Sequence, residues 1–148
     1  MPEIFSEVIQ NRVFIITILA WVIAQAIKVT IAVIRNRRFD FRWLIGTGGM
    51  PSSHAAGAAS LATILGLEYG FNSAYFALAA SFAIVVMFDA QGVRRSTGSQ
   101  ARILNRLMDD IYWKGRISEG RLRELVGHTP VEVLAGALLG IAVAFLLR

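Results

Sequence analysis

Apolar residues along this chain fall into blocks rather than into the alternation of a half-buried sheet. The longest block, VFIITILAWVIAQAIKVTIAVI, fills residues 13–34 with 22 mostly apolar positions. As a helix it spans about 33 Å at ~1.5 Å per residue, one hydrocarbon core. Two further blocks, at about 73–89 and 130–147, lie near the lower length limit for a membrane span. A fourth, at about 54–68, is built from Ala, Gly, Ser and Thr with few large side chains. That composition resembles the small-residue faces that let membrane helices approach closely, so it is read as a span too. The expectation is an all-α integral membrane four-helix bundle forming a single membrane-embedded domain over residues 1–148. Ala24-Gln25-Ala26 imitates a signal-peptidase site, but Glu3 and Glu7 precede the run and its apolar character continues to Ile34, which favours an anchor.

The polar intervals give the bundle an orientation. Of 15 Lys and Arg residues, 12 lie between Arg35 and Arg123, in the segments 35–50 and 90–128. The positive-inside rule makes those segments cytoplasmic and puts both termini outside, for a multi-pass protein of the cell membrane. Beside four apolar blocks, anionic lipid head groups explain the basic charge better than nucleic acid does. In ARILNRLMDDIYW, Ile103, Leu104, Leu107, Met108 and Ile111 repeat at helical spacing. An amphipathic cytoplasmic helical segment is therefore expected between the third and fourth spans, followed by a short helix over 118–126.

Composition removes several chemistries. The 148 residues contain no cysteine, which excludes thiol catalysis, disulfides and thiolate metal sites. There are two histidines, and the topology places both at the cytoplasmic level: His54 at the start of the second span and His128 just before the fourth. Lys28 and Arg35 at the end of the first span and Asp89 at the end of the third reach the same level. Lys28 and Arg35 are two helical turns apart, ~10 Å along one face. Each also reads as an ordinary interfacial cation, Lys28 by snorkelling. The stretch GTGGMPSSH, residues 46–54, is a glycine-rich turn feeding a helix N-terminus. Gly49 and its neighbours expose backbone N–H groups, Ser52 and Ser53 add hydroxyls, and the helix end favours an anion such as phosphate. A serine N-cap explains the serines and glycines equally well but leaves His54 unaccounted for. In GHTPVEVLAG, residues 127–136, Thr129, Pro130 and Glu132 fit a capping box.

Two imidazoles beside an anion cradle suit phosphoryl transfer, one as nucleophile and one as proton donor, with cations on the equatorial oxygens. Neither a metal nor another cofactor is called for. The residues resemble the type 2 phosphatidic acid phosphatase superfamily, in its short divergent membrane branch, whose motifs run K-x6-R-P, P-S-G-H and S-R-x5-H-x3-D. The matches are Lys28 to Arg35, Pro51-Ser52-Ser53-His54, and His128 with Glu132. The resemblance implies that His128 forms a phosphohistidine, that His54 protonates the leaving group, and that Lys28, Arg35, Ser52 and the loop amides hold phosphate. Asn36, Ser53 and Glu132 stand where the family has proline, glycine and aspartate, and no Ser-Arg pair lies six residues before His128. Arg94 or Arg95 is the candidate substitute for that arginine, and Asp89 a candidate carboxylate.

The expected function is a metal-independent lipid phosphate or pyrophosphate phosphatase at the cytoplasmic face, acting on a lipid phosphate among membrane lipids. With only four spans, a homodimer is one way to complete the bundle. The rival is a catalytically degenerate scaffold or regulatory subunit that binds anionic lipid or phosphate. A small transporter with Lys28 in its pathway fits less well, because both histidines sit at helix ends.

Overall fold

The computed structural model describes residues 2–45, 49–91 and 128–148, with positions 100, 101, 103–105 and 108. Among the described residues the chain is all-helical, without strands. Its elements are α1 (Pro2–Gln10), α2 (Arg12–Asn36), α3 (Arg42–Ile45), α4 (Ser53–Tyr69), α5 (Ala74–Gln91) and α6 (Pro130–Leu147). In the expected amphipathic segment the described positions 100, 101, 103–105 and 108 are helical. The rest of that segment, the helix expected over 118–126, and Arg94 and Arg95 lie outside the described residues.

Three helices, Arg12–Asn36, Ala74–Gln91 and Pro130–Leu147, are long and apolar enough to cross a membrane. The fourth expected block forms α4, of 17 residues. The outer faces carry large apolar side chains: Leu78 is 73% exposed, Phe88 72% and Leu146 81%. In water so continuous an apolar surface is an association hazard; in a bilayer it meets a matching solvent.

Each boundary has a local cause. The Asn11 side chain accepts from the Phe14 N–H at 3.0 Å and starts α2, which ends where Arg37 turns left-handed at φ 51°. Ser52 caps α4, Ser73 caps α5 by accepting from Phe76 N–H at 3.2 Å, and Thr129 caps α6 ahead of Pro130. Such caps satisfy the N–H groups that a helix start leaves without partners. Gln25, a polar residue inside the longest apolar run, donates through Nε2 to Trp43 O at 3.0 Å and Leu44 O at 2.8 Å. It thereby ties α3 back onto α2.

Small residues let α4 occupy the centre, packed against α2, α5 and α6. Ala55, Ala56, Ala58, Ala59 and Ala62 are all buried. The tightest contact is with α6. A Cβ on Gly136 would collide with the carbonyl oxygen of Ser52, and one on Gly140 with that of Ala56. The two helices therefore touch backbone to backbone and run parallel, Gly136 beside Ser52 and Gly140 one turn further beside Ala56. Against α2, Gly49 lies on Lys28 and Gly57 on Trp21, which makes that pair antiparallel. The starts of α4 and α6 and the ends of α2 and α5 consequently share one end of the molecule.

The α4–α6 seam is expected to be intolerant of bulk. Gly140→Leu should lower stability by about 1–3 kcal/mol or more through overpacking. Leu138→Ala, at an exposed position on the same helix, should change it by no more than about 0.5 kcal/mol. Denaturation of the purified protein in detergent, followed by circular dichroism, measures both.

Candidate active site: two histidines at one end of the bundle

Two backbone hydrogen bonds between elements assemble this end. The Ser52 N–H donates to the carbonyl of Glu132 at 3.0 Å, and the His128 N–H donates to the carbonyl of Ala90 at 3.0 Å. The first pins the start of α4 to the first turn of α6; the second pins the approach to α6 onto the end of α5. His54 is the second residue of α4, and His128 immediately precedes the cap of α6. The result is that the two imidazoles, 74 positions apart in the sequence (128 − 54), lie with ring centroids 6.4 Å apart and planes tilted by 59°.

The surroundings of the two rings differ. His128 is 2% exposed. Its Nδ1 lies 3.2 Å from Oε2 of Glu132, the same oxygen that accepts the Thr129 N–H at 2.9 Å. Thr129 Oγ1 in turn accepts the Glu132 N–H at 3.3 Å, completing the capping box. The capping box read from the sequence is present, and the same carboxylate oxygen also reaches the His128 ring. The longer side chain folds back over the first turn of α6, which is how glutamate reaches a ring four residues earlier. His54 is partly exposed and lines a cavity of about 270 Å³ with Val85, Val86, Asp89 and Ala90.

The phosphate-holding candidates are brought together in part. Ser52 is fully buried and Ser53 is 3% exposed. Ser52 Oγ accepts from the Ala55 N–H at 3.4 Å, an N-cap role. Gly49 has φ +92°, a conformation that side-chain-bearing residues rarely adopt, and lies on the Lys28 stem: a Cβ there would meet Lys28 Cγ at 3.2 Å and Cδ at 3.3 Å. Lys28 is 8% exposed, so snorkelling into solvent does not describe it. Arg35 is exposed near the end of α2, and no contact among the described residues joins it to the histidines. Arg94 and Arg95, offered as substitutes for the family arginine, lie outside the described residues, as do residues 46–48 of the glycine turn. Asp89 belongs to the surroundings of His54, while Glu132 occupies Nδ1 of His128. Glu132 is thus the carboxylate at Nδ1 of His128.

Sequence reasoning missed Ala90, whose part is played by its carbonyl and leaves no side-chain signal. It also missed Gly136 and Gly140, although their four-residue spacing is a legible small-xxx-small pattern.

Two parallel helices thus deliver their N-termini and a pair of histidines to one end of a helical membrane protein. The chain belongs to the divergent PAP2 family, whose sequence profile matches residues 9–143. It is similar to the uncharacterized membrane protein YuiD of Bacillus subtilis (strain 168), 40% identical over 152 residues that cover 95% of this chain and 96% of the relative. No solved structure matches the chain significantly.

The dual use of Glu132 is separable. Glu132→Gln preserves a capping-box partner and should leave stability within about 0.5 kcal/mol, yet shift the His128 imidazole nitrogen resonances. Thr129→Ala should cost about 1 kcal/mol by removing the cap. Denaturant titration and nitrogen NMR of the histidine side chains report the two effects independently.

Proposed function

We propose that this protein is a metal-independent lipid phosphate or pyrophosphate phosphatase that works through a phosphohistidine at the cytoplasmic membrane face, with α4 as a fourth span. The observation that carries the reading is the 6.4 Å separation of the two imidazoles. The starts of α4 and α6 lie at the same end as the rings, and a helix N-terminus favours an anion.

The roles follow from the hydrogen bonds. A carboxylate only accepts, so Glu132 holds the Nδ1–H tautomer of His128 and leaves the Nε2 lone pair as the nucleophile. Nε2 attacks phosphorus, and the bond from phosphorus to the lipid oxygen breaks. His54 gives its proton to that departing oxygen. Water then attacks the phosphohistidine with His54 as base, the P–N bond breaks, and inorganic phosphate leaves. Lys28 and the loop around Gly49 supply positive charge for the equatorial oxygens, with Ser52 and Ser53 forming the buried wall at the start of α4. Arg35 and one of Arg94 or Arg95 complete that charge in this reading. No step is routed through a metal, because these cations and helix ends supply the neutralisation. A lipid leaving group suits the location, since it never has to enter water. The basic segments 35–50 and 90–128 supply the reason for the cytoplasmic side.

The test is release of inorganic phosphate from phosphatidate, phosphatidylglycerol phosphate and polyprenyl pyrophosphate by the detergent-solubilised protein in the presence of chelator. The wild type should release phosphate from at least one of them. His128→Ala should reduce that release to background, and His54→Ala should lower it by about 10²–10⁴-fold. Acid-labile radioactive phosphate should be trapped on the wild type and lost in His128→Ala. A wild-type protein that releases nothing from any of the three, while binding them, would favour the scaffold instead.

A further inference from the structure

The reaction described so far gives no part to Gln25, the amide within the longest apolar run. It is 8% exposed, and its Nε2 donates to the Trp43 carbonyl at 3.0 Å and the Leu44 carbonyl at 2.8 Å. Both partners only accept, so the contact requires a side-chain NH₂. They belong to α3, a single turn, and the last carbonyls of a helix need partners from outside it. In an apolar setting an unmet acceptor is costly. Lys28 stands three residues further along α2, about 4.5 Å up the axis and on the same face. Its stem packs on Gly49, which follows Leu44 by five positions. The chain returning from α2 to α4 is therefore held to α2 at two points one turn apart. One turn the other way, Trp21 lies on Gly57. Because α2 and α4 are antiparallel, Gln25, between Trp21 and Lys28, stands level with the first turn of α4, which carries Ser53 and His54.

We propose that Gln25 is a positioning residue for the anion site: by holding α3 against α2 it keeps Gly49 on Lys28 before a phosphate group arrives. This rests on the phosphatase reading, and it gives Gln25 no contact with the substrate. Its effect falls on affinity. A segment already held in place loses little conformational freedom when it closes on an anion, whereas a released one must be ordered at the moment of binding. The hydrogen bonds that place His128 run through Ala90 and Glu132 instead. Loss of the amide therefore acts on binding and spares the chemical step.

The experiment compares the full-length wild type in detergent with Gln25→Met and Gln25→Leu. Both substitutions keep apolar bulk in the span and remove the donors, and unfolding midpoints check that the bundle persists. Release of the segment should speed trypsin cleavage after the exposed Arg37, Arg38 and Arg42 by about tenfold, for two lost hydrogen bonds. KM for the lipid phosphate that the wild type hydrolyses should rise about tenfold with kcat held within about threefold. The dissociation constant for inorganic phosphate, the product, should rise in step. Unchanged cleavage, or a lower kcat with KM and phosphate affinity unmoved, overturns the positioning role and leaves the phosphatase reading standing. A wild-type protein that hydrolyses none of the lipids overturns the phosphatase reading, and the phosphate dissociation constant then decides the role of Gln25: a tenfold rise upholds it and an unchanged value overturns it.

Discussion

The backbone-to-backbone seam between α4 and α6 is the constraint on which the rest of the arrangement depends. Where Gly136 meets the Ser52 carbonyl and Gly140 that of Ala56, the helices approach too closely to slide without collision. The Ser52 N–H bonded to the Glu132 carbonyl locks the remaining freedom. A membrane offers little hydrophobic gain for helix association, so close packing of small residues and backbone hydrogen bonds carry the specificity. Register along this seam fixes the height of His54 relative to His128, and one helical turn of slippage, about 5.4 Å, is nearly the whole separation between the rings.

On that frame the two histidines acquire different surroundings from the same fold. His128 is sealed at 2% exposure between the Ala90 carbonyl and the Glu132 carboxylate, while His54 borders a cavity. In the proposed reaction the buried ring attacks, and the ring beside the cavity exchanges a proton with the departing group and then with water. The asymmetry arises because one histidine precedes its helix cap and the other follows it by two positions. Lys28 enters from the third direction along α2, kept close by the absence of a side chain at Gly49.

Much of this was legible in the residues. Block hydropathy identifies three membrane-length helices and the shorter α4, and the order of the polar ends puts His54 and His128 at one level. The cap residues Thr129, Pro130 and Glu132 announced the start of α6. What stayed illegible was mostly backbone or dual-purpose. The Ala90 carbonyl has no signature in an alanine. Spacing shows Glu132 as a cap but cannot show one oxygen reaching both the Thr129 N–H and the His128 ring. Arg35, two turns from Lys28, is exposed near the end of α2. Gln25 was an overlooked clue, since an amide in an apolar run needs partners, and it finds the Trp43 and Leu44 carbonyls.

The proposed chemistry draws on membership of the divergent PAP2 family and on the approach of the two rings. The central claim is spatial: His54 and His128 face each other across a gap of one phosphoryl group. Because the chain has two histidines, labelling histidine alone with ¹³C and ¹⁵N gives a solid-state NMR spectrum of those two rings in a lipid bilayer. Rings with centroids 6.4 Å apart should give a ring-to-ring carbon cross-peak at long mixing time, and dilution of labelled with unlabelled protein should leave its relative intensity unchanged. Two well-resolved rings with no cross-peak between them, or one that vanishes on dilution, would contradict the account.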